Sequence, residues 1–284
     1  MIPAPFDYVA PTTVEEALAA LVEAGDEGKV IAGGQSLLPV LRMRLNAPSL
    51  VIDLGKVESL RGIRDEGDAV AIGAMTTYQT LLDDPSVHEH LLLLTKATET
   101  IADPQIRHRG TIGGALAHAD PAGDLGATAL ALEATFTVVG RSGTRTVPAD
   151  QFFLGLFETA VGEDELLTEI RFPKRTGWGA HYEKFVRVSH QWSIVAVAAT
   201  VLAEGGTIRE ARVGLTNMAD RPLRARSVEQ ALVGQPASED AVRRAAERAA
   251  EGTNPPSDLN GDAEYRRSIA PVLTRRAVLA AAGG

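Results

Sequence analysis

Two short segments each set a pair of adjacent glycines beside a hydroxyl residue: Ala32-Gly33-Gly34-Gln35-Ser36 and Thr111-Ile112-Gly113-Gly114-Ala115. The first follows Lys29-Val30-Ile31-Ala32, which reads as a short apolar strand. Paired glycines admit positive φ and let backbone N–H groups approach a ligand closely. Successive N–H groups pointing one way make a concave anion site. A diphosphate suits such a cradle, because charged acceptors strengthen each hydrogen bond. Neither segment is Gly-x-Gly-x-x-Gly and neither is followed by Lys-Ser or Lys-Thr, so the dinucleotide fingerprint and the P-loop are both absent. On spacing alone, plain turns and a phosphate-bearing cofactor both remain open.

Other chemistry is poorly supplied. The six histidines, His88, His90, His108, His118, His181 and His190, show no His-x-x-x-His or His-Glu-x-x-His spacing, so no metal site is expected. There is no Gly-x-Ser-x-Gly elbow. Without cysteine there is no disulfide, no thiolate nucleophile and no thiolate-held iron–sulfur cluster. Redox work would therefore fall to an organic cofactor. Asp120 and Asp124 could act as acids, but Asp124 precedes an Ala/Leu-rich helical run and reads as its N-cap. For Trp192, packing is the default expectation. No catalytic residue is named.

The elements that must carry these segments follow from patterning. Thr13 and Glu16 form a capping-box pattern before Val14, Leu18, Leu21 and Val22, and Gly25 can end that helix. Residues 49–54 read as a strand. Residues 60–63 and 69–72 form a hairpin around Asp65-Glu66-Gly67-Asp68. Helices are predicted over 77–83 and 89–101. Residues 103–126, rich in Gly and Pro, read as a long loop, and loops of that length are usually functional. Residues 134–139 and 144–147 form a second hairpin, and 166–172 a strand. Pro173 and Gly177 mark a boundary. Beyond it come strands at 182–188, 193–202 and 208–216, then helices at 226–232, 239–250 and 263–282, the last expected to break or kink at Pro271. The fold class is α+β: a two-part α/β unit followed by an antiparallel sheet with helices.

The chain has 284 residues with a formal charge of −9 and a hydrophobic fraction of 45%. Such an acidic chain is a poor nucleic-acid binder. The longest apolar stretch, 194–203, is half of the roughly 20 residues needed to cross a bilayer. Met1 to Asp7 has neither a basic nor an apolar region of a signal peptide. A cytoplasmic location is expected.

At the glycine motifs the chain resembles the FAD-binding medium subunits of the molybdenum hydroxylases, and within them the carbon monoxide dehydrogenase branch. The likeness spans essentially the whole chain. It includes Phe6-Asp7-Tyr8, residues 32–39, Ile72-Gly73-Ala74-Met75-Thr76-Thr77, residues 101–107, residues 111–124, Tyr182-Glu183-Lys184, Gly214-Leu215-Thr216-Asn217 and Ala263-Glu264-Tyr265-Arg266.

The resemblance implies an FAD-binding domain over 1–174, in parts 1–53 and 54–174, and a C-terminal domain over 175–284. It implies that Ala32, Gly33, Gly34, Gln35 and Ser36 with Thr111, Ile112, Gly113, Gly114 and Ala115 bind the FAD diphosphate and its neighbours. Lys29, Val30 and Leu37 would flank the first loop. Ile101 and Ala102 would lie by the cofactor, and His118, Asp120 and Asp124 along the second loop. Leu166 and Leu167 would edge the adenine, Lys184 would sit nearby, and Trp192 would stack on the flavin where relatives have Tyr. Relatives often have Asn at the positions of Ala115 and His118, and Asp at that of Gln191.

The implied partners are a small subunit with two [2Fe-2S] clusters and a large molybdenum-pterin subunit, arranged as a dimer of heterotrimers. An external acceptor such as a quinone would take the electrons. Docking on the inner face of a membrane would go through those partners.

Overall fold

The computed structural model describes residues 1–283. The first 53 residues build a small parallel sheet. Strands β1 (Asp7–Val9), β2 (Gly28–Ile31) and β3 (Leu50–Asp53) pair in the order β1-β3-β2, linked by helices α1 (Val14–Ala24) and α2 (Leu37–Arg42). Thr13 caps α1 by accepting from the Glu16 N–H at 3.1 Å. The reciprocal bond is displaced by one residue, because the Glu16 carboxylate takes the Thr12 N–H. Ala17, Leu21 and Ile52 bury this face together with Leu60, Met75 and Leu166 of the next unit.

The second unit is a five-stranded antiparallel sheet in the order β4-β5-β10-β6-β7. Its strands are β4 (Ile63–Asp65), β5 (Ala69–Gly73), β6 (Thr135–Gly140), β7 (Gly143–Pro148) and β10 (Glu165–Pro173), with a small hairpin of β8 (Phe153–Gly155) and β9 (Glu158–Thr159). Between β5 and β6 lie α3 (Tyr78–Asp83), α4 (Pro85–His90), α5 (Leu92–Glu99), α6 (Pro104–Arg107), α7 (Ile112–His118) and α8 (Asp124–Ala131); α9 (Ala149–Phe152) precedes β8. Two segments depart from their sequence pattern. The helix expected over 89–101 is two, since Asp84 caps α4 through the N–H groups of Ser86 and Val87 and a new helix starts at Leu92. The expected loop over 103–126 holds α6, α7 and the start of α8, each short and begun by a local cap or glycine.

The third unit is an antiparallel sheet in the order β11-β12-β13-β14, formed by Gly179–Phe185, Val195–Glu204, Thr207–Thr216 and Leu223–Arg224. It carries α10 (Arg226–Leu232), α11 (Glu239–Ala246) and α12 (Ala263–Ala282). β11 starts and ends three residues earlier than its pattern suggested, and residues 186–194 are irregular. Pro271 does not end α12, which runs through it with Ala270, Leu273, Ala277 and Val278 buried on the sheet. Packing on that sheet outweighs one missing backbone donor. The other sheet face turns toward the second unit, where Tyr182, Ala196 and Ala198 join the core built by α5 and α8.

Glu133, just past α8, ties these units together. Its carboxylate accepts from Arg212 at 3.1 Å, Arg224 at 3.5 Å, and Arg175. Burial alone would raise its pKa, but the three guanidiniums outweigh that and hold the carboxyl below the usual glutamate range. Stability from this group is therefore present above that range and lost as pH falls through the lowered folded value. Glu133→Ala is expected to cost about 1–2 kcal/mol, discounted for partial exposure. Urea midpoints taken at neutral pH and below the glutamate range check this, since the gap to the parent should narrow in acid.

Candidate functional site

The first glycine motif leaves β2 and turns into α2. Gly34 has a φ of +74°, so the turn itself requires glycine there. Gly33 is glycine for a different reason. A Cβ on it would lie 2.2 Å from the Arg109 carbonyl oxygen and 2.8 Å from Gly110 Cα. That absent side chain lets the loop press against the backbone just before the second motif. The two motifs also meet directly, because a Cβ on Gly114 would lie 3.1 Å from that of Ala32. Among the described residues, the N–H groups of Gly33, Gly34, Gln35 and Ser36 donate to no other group in the chain. Ser36 opens α2 without capping it through its side chain.

The second motif is not a loop of left-handed glycines. Thr111 caps α7 by accepting from the Gly114 N–H at 3.2 Å, and Gly113 and Gly114 form its first turn. The Ile112 N–H goes to Thr76 O, that of Gly113 to Ala74 O at 2.9 Å, and that of Ala115 to Thr111 O. These donors are thus already committed inside the chain. Gly113 is there to fit: a Cβ would lie 2.4 Å from that of Ala74. The expected pair of N–H cradles is therefore one cradle, in the first motif, braced by the start of a helix.

A buried polar network lies behind the second motif. The N-cap of α8 is Gly123, so Asp124 does not cap. Its carboxylate instead accepts from Lys184 Nζ at 2.7 Å, Tyr182 Oη at 2.8 Å and Ser193 Oγ at 3.0 Å. Asp124 and Lys184 are both nearly inaccessible, with side chains 4% and 9% exposed. Lys184 also donates to Thr100 O at 3.3 Å, beside Ile101 and Ala102. Ala102 holds a φ of +42°, and Ile101 O accepts from Arg107. Burial, then the Asp124 charge, pushes the Tyr182 phenol far above its ordinary value, so it remains a donor.

The remaining expected residues scatter around this frame. Trp192 is 54% exposed, and a Cβ on Gly123 would touch its ring at 3.8 Å. His118 ends α7 half-buried, its ring 5.1 Å from that of Phe157, and burial lowers its pKa despite the Asp120 charge. Asp120 accepts from the Ala122 N–H. Lys29 is exposed, and Val30 and Leu37 are half-buried beside the first motif. Leu166 and Leu167 sit in β10 with their side chains in the core.

Three further residues shape the site without a motif to mark them. Arg109 supplies the carbonyl against Gly33, Phe157 faces His118 with a φ of +56°, and Asn217 sits at +61° bonded to the turn after α7. Only Asn217 had a local signal, as an Asn following a strand.

Comparison with known proteins decides the family. Residues 4–175 match the model of the FAD binding domain in molybdopterin dehydrogenase, and residues 180–281 that of the CO dehydrogenase flavoprotein C-terminal domain. The chain belongs to the FAD-binding medium subunits of the molybdenum hydroxylases. This medium subunit is 43% identical to the carbon monoxide dehydrogenase medium chain of Hydrogenophaga pseudoflava, over 99% of this chain and 98% of that one. It is 36% identical to the glyceraldehyde dehydrogenase medium chain of Sulfolobus acidocaldarius, over 98% of each. Its fold superposes with a TM-score of 0.96 on a chain of Hydrogenophaga pseudoflava carbon monoxide dehydrogenase lacking the Mo-pyranopterin moiety, at 45% identity, covering 99% of this chain and 98% of that one.

The medium subunit is an FAD-dependent oxidoreductase component, and its geometry fits that cofactor. Four adjacent uncommitted N–H donors beside a surface that a Cβ would fill are what an anionic diphosphate requires. Among the described residues, no helix of the medium subunit is long and apolar enough to cross a membrane.

Proposed function

We propose that this medium subunit relays electrons through FAD within a carbon monoxide dehydrogenase, between a small subunit with two [2Fe-2S] clusters and an external acceptor such as a quinone. A large molybdenum-pterin subunit would oxidise the substrate, in a dimer of heterotrimers. Bound flavin supplies the two-electron chemistry. The observation that carries the reading is the uncommitted N–H cradle of Gly33 to Ser36, pressed against the second motif within a chain 43% identical to a carbon monoxide dehydrogenase medium chain.

In this reading residues 1–174 hold the cofactor and 175–284 form a second domain. Gly33, Gly34, Gln35 and Ser36 bind the diphosphate, with Ala32, Lys29, Val30 and Leu37 shaping the loop. Thr111 to Ala115 close its far side. Ile101, Ala102 and Trp192 bound the ring system, while Lys184 and Asp124 act from behind. The chain's lack of cysteine supports placing the clusters in another subunit.

A second reading keeps the flavin and changes the substrate, and the 36% identity to a glyceraldehyde dehydrogenase medium chain favours it. Both are tested on the purified complex. Cofactor released by denaturation should be FAD, near one per medium subunit. Anaerobic carbon monoxide should then bleach the flavin band. Bleaching only by an aldehyde, purine or N-heterocycle would select the second reading. A complex with no flavin would overturn both.

A further inference from the structure

We propose that Asn217 is a positioning residue that locks the Trp192 segment to the 120–123 turn that follows α7. The residue follows β13 in a left-handed conformation, with a φ of +61°, and is 7% exposed. Asn is the non-glycine residue that best tolerates this region, while most side chains are strained there. The conformation directs the two polar ends of Asn217 to two different segments. Its backbone N–H donates to Pro121 O at 2.8 Å, inside the turn that follows α7. Its Nδ2 donates to Ser193 O at 2.8 Å and to Ile194 O at 3.2 Å, the two carbonyls directly after Trp192.

The surrounding groups show what the clamp achieves. Residues 186–194 form no regular structure, and the nearest ladder bond to Trp192 is that from the Ile194 N–H to Phe185 O at 2.9 Å. Its ring nevertheless sits near Gly123, two residues from Pro121: a Cβ added there would lie 3.8 Å from it. Ile194 O also accepts from Arg266, which is fully buried and paired with Asp258 at 2.7 Å. Arg266 thus fixes the Ile194 end to α12, but it makes no bond to the 120–123 turn. Ser193 Oγ reaches Asp124, at the start of α8. Asn217 is the residue that bonds the 120–123 turn and the Trp192 segment at once. One buried amide thus links the carbonyls after Trp192 to the turn near its ring.

This inference rests on the reading of Trp192 as a flavin neighbour only for its effect on the cofactor; the clamp itself does not need it. The test uses the assembled complex in a Trp178→Phe background, which leaves Trp192 as the one tryptophan of this chain; emission from the other subunits is removed by difference against a Trp178→Phe, Trp192→Phe complex. Asn217→Gly keeps the left-handed backbone and the bond to Pro121 while deleting both side-chain donors. Asn217→Ala deletes the same donors and adds backbone strain.

Both variants should raise the acrylamide-quenching constant of Trp192 at least about twofold and shift its emission to the red, as a locally freed segment does. They should also move the flavin midpoint potential, with Asn217→Ala alone showing a further loss of thermal stability. Parental Trp192 emission and quenching in Asn217→Gly would overturn the clamp. Freed Trp192 with an unmoved flavin potential would uphold the clamp and overturn the flavin-neighbour reading. If neither variant assembles, peptide-level hydrogen exchange on the parent complex decides. Segments 119–124 and 190–195 opening as one unit support the clamp, and independent opening overturns it.

Discussion

Gly33→Ala should give an assembled complex that has lost most of its FAD. The added Cβ would lie 2.2 Å from the Arg109 carbonyl oxygen and 2.8 Å from the carbonyl carbon. That backbone cannot retreat, because the N–H groups of Arg109 and Gly110 are bonded to Ile106 O and Gly110 O accepts from Tyr78. The first motif must move instead, carrying its uncommitted N–H groups away from α7. Forcing one methyl into such a contact costs about 1–3 kcal/mol. If the displacement removes even two charge-assisted hydrogen bonds to the diphosphate, affinity falls by about a hundredfold or more. The neighbouring Gly34→Ala is the control. There the penalty is a φ of +74° and contact with the flexible end of Leu38 at 3.0 Å. That variant should lose about 1 kcal/mol of stability and keep most of its flavin. FAD per chain after denaturation, with a urea midpoint for each variant, measures both. Equal FAD content in the two would refute the apposition argument.

The contrast between these neighbours also shows what a sequence discloses. Two Gly-Gly pairs mark a candidate cofactor region, and strand and helix periodicity marks the elements around it. The different jobs of the glycines were hidden. Gly34 serves a turn, whereas Gly33 and Gly113 serve contacts with Arg109 and Ala74, which lie 76 and 39 residues away in the chain. A Gly-Gly pair has poor helix propensity, so local pattern gives loop at the start of α7. The Thr111 cap and the Ala74 and Thr76 carbonyls hold it helical. Pro271 misled in the same way, since the packed face of α12 outweighs a single breaker. Asp124 was the largest misreading. Local spacing offers a capping role, and nothing local signals partners 58, 60 and 69 residues away in Tyr182, Lys184 and Ser193.

Those distant partners set the second large prediction. Lys184→Ala should destabilise the chain by about 3–5 kcal/mol, because it strands a buried carboxylate without its counter-charge. For a chain of this size the thermal midpoint should fall by on the order of 10 °C. The site should respond as well as the core. Lys184 bonds both Asp124 and Thr100 O, so its loss frees the backbone beside Ile101 and the strained Ala102. Asp124→Asn alone should destabilise by a comparable amount: its amide oxygen can still accept from Tyr182 and Ser193, but its NH2 then faces the buried Lys184 ammonium, donor against donor, and that charge loses its counter-charge. Combining Asp124→Asn with Lys184→Met removes both charges and fills the volume. A double-mutant cycle built from Lys184→Met, Asp124→Asn and their combination should then recover at least about 1 kcal/mol relative to the sum of those two singles. Additive losses would mean that the pair is not coupled, and that Lys184 acts through Thr100 alone. Because the same two side chains join α8, β11 and the segment beside Ala102, the cycle measured by flavin retention should show coupling of the same sign as the cycle measured by stability.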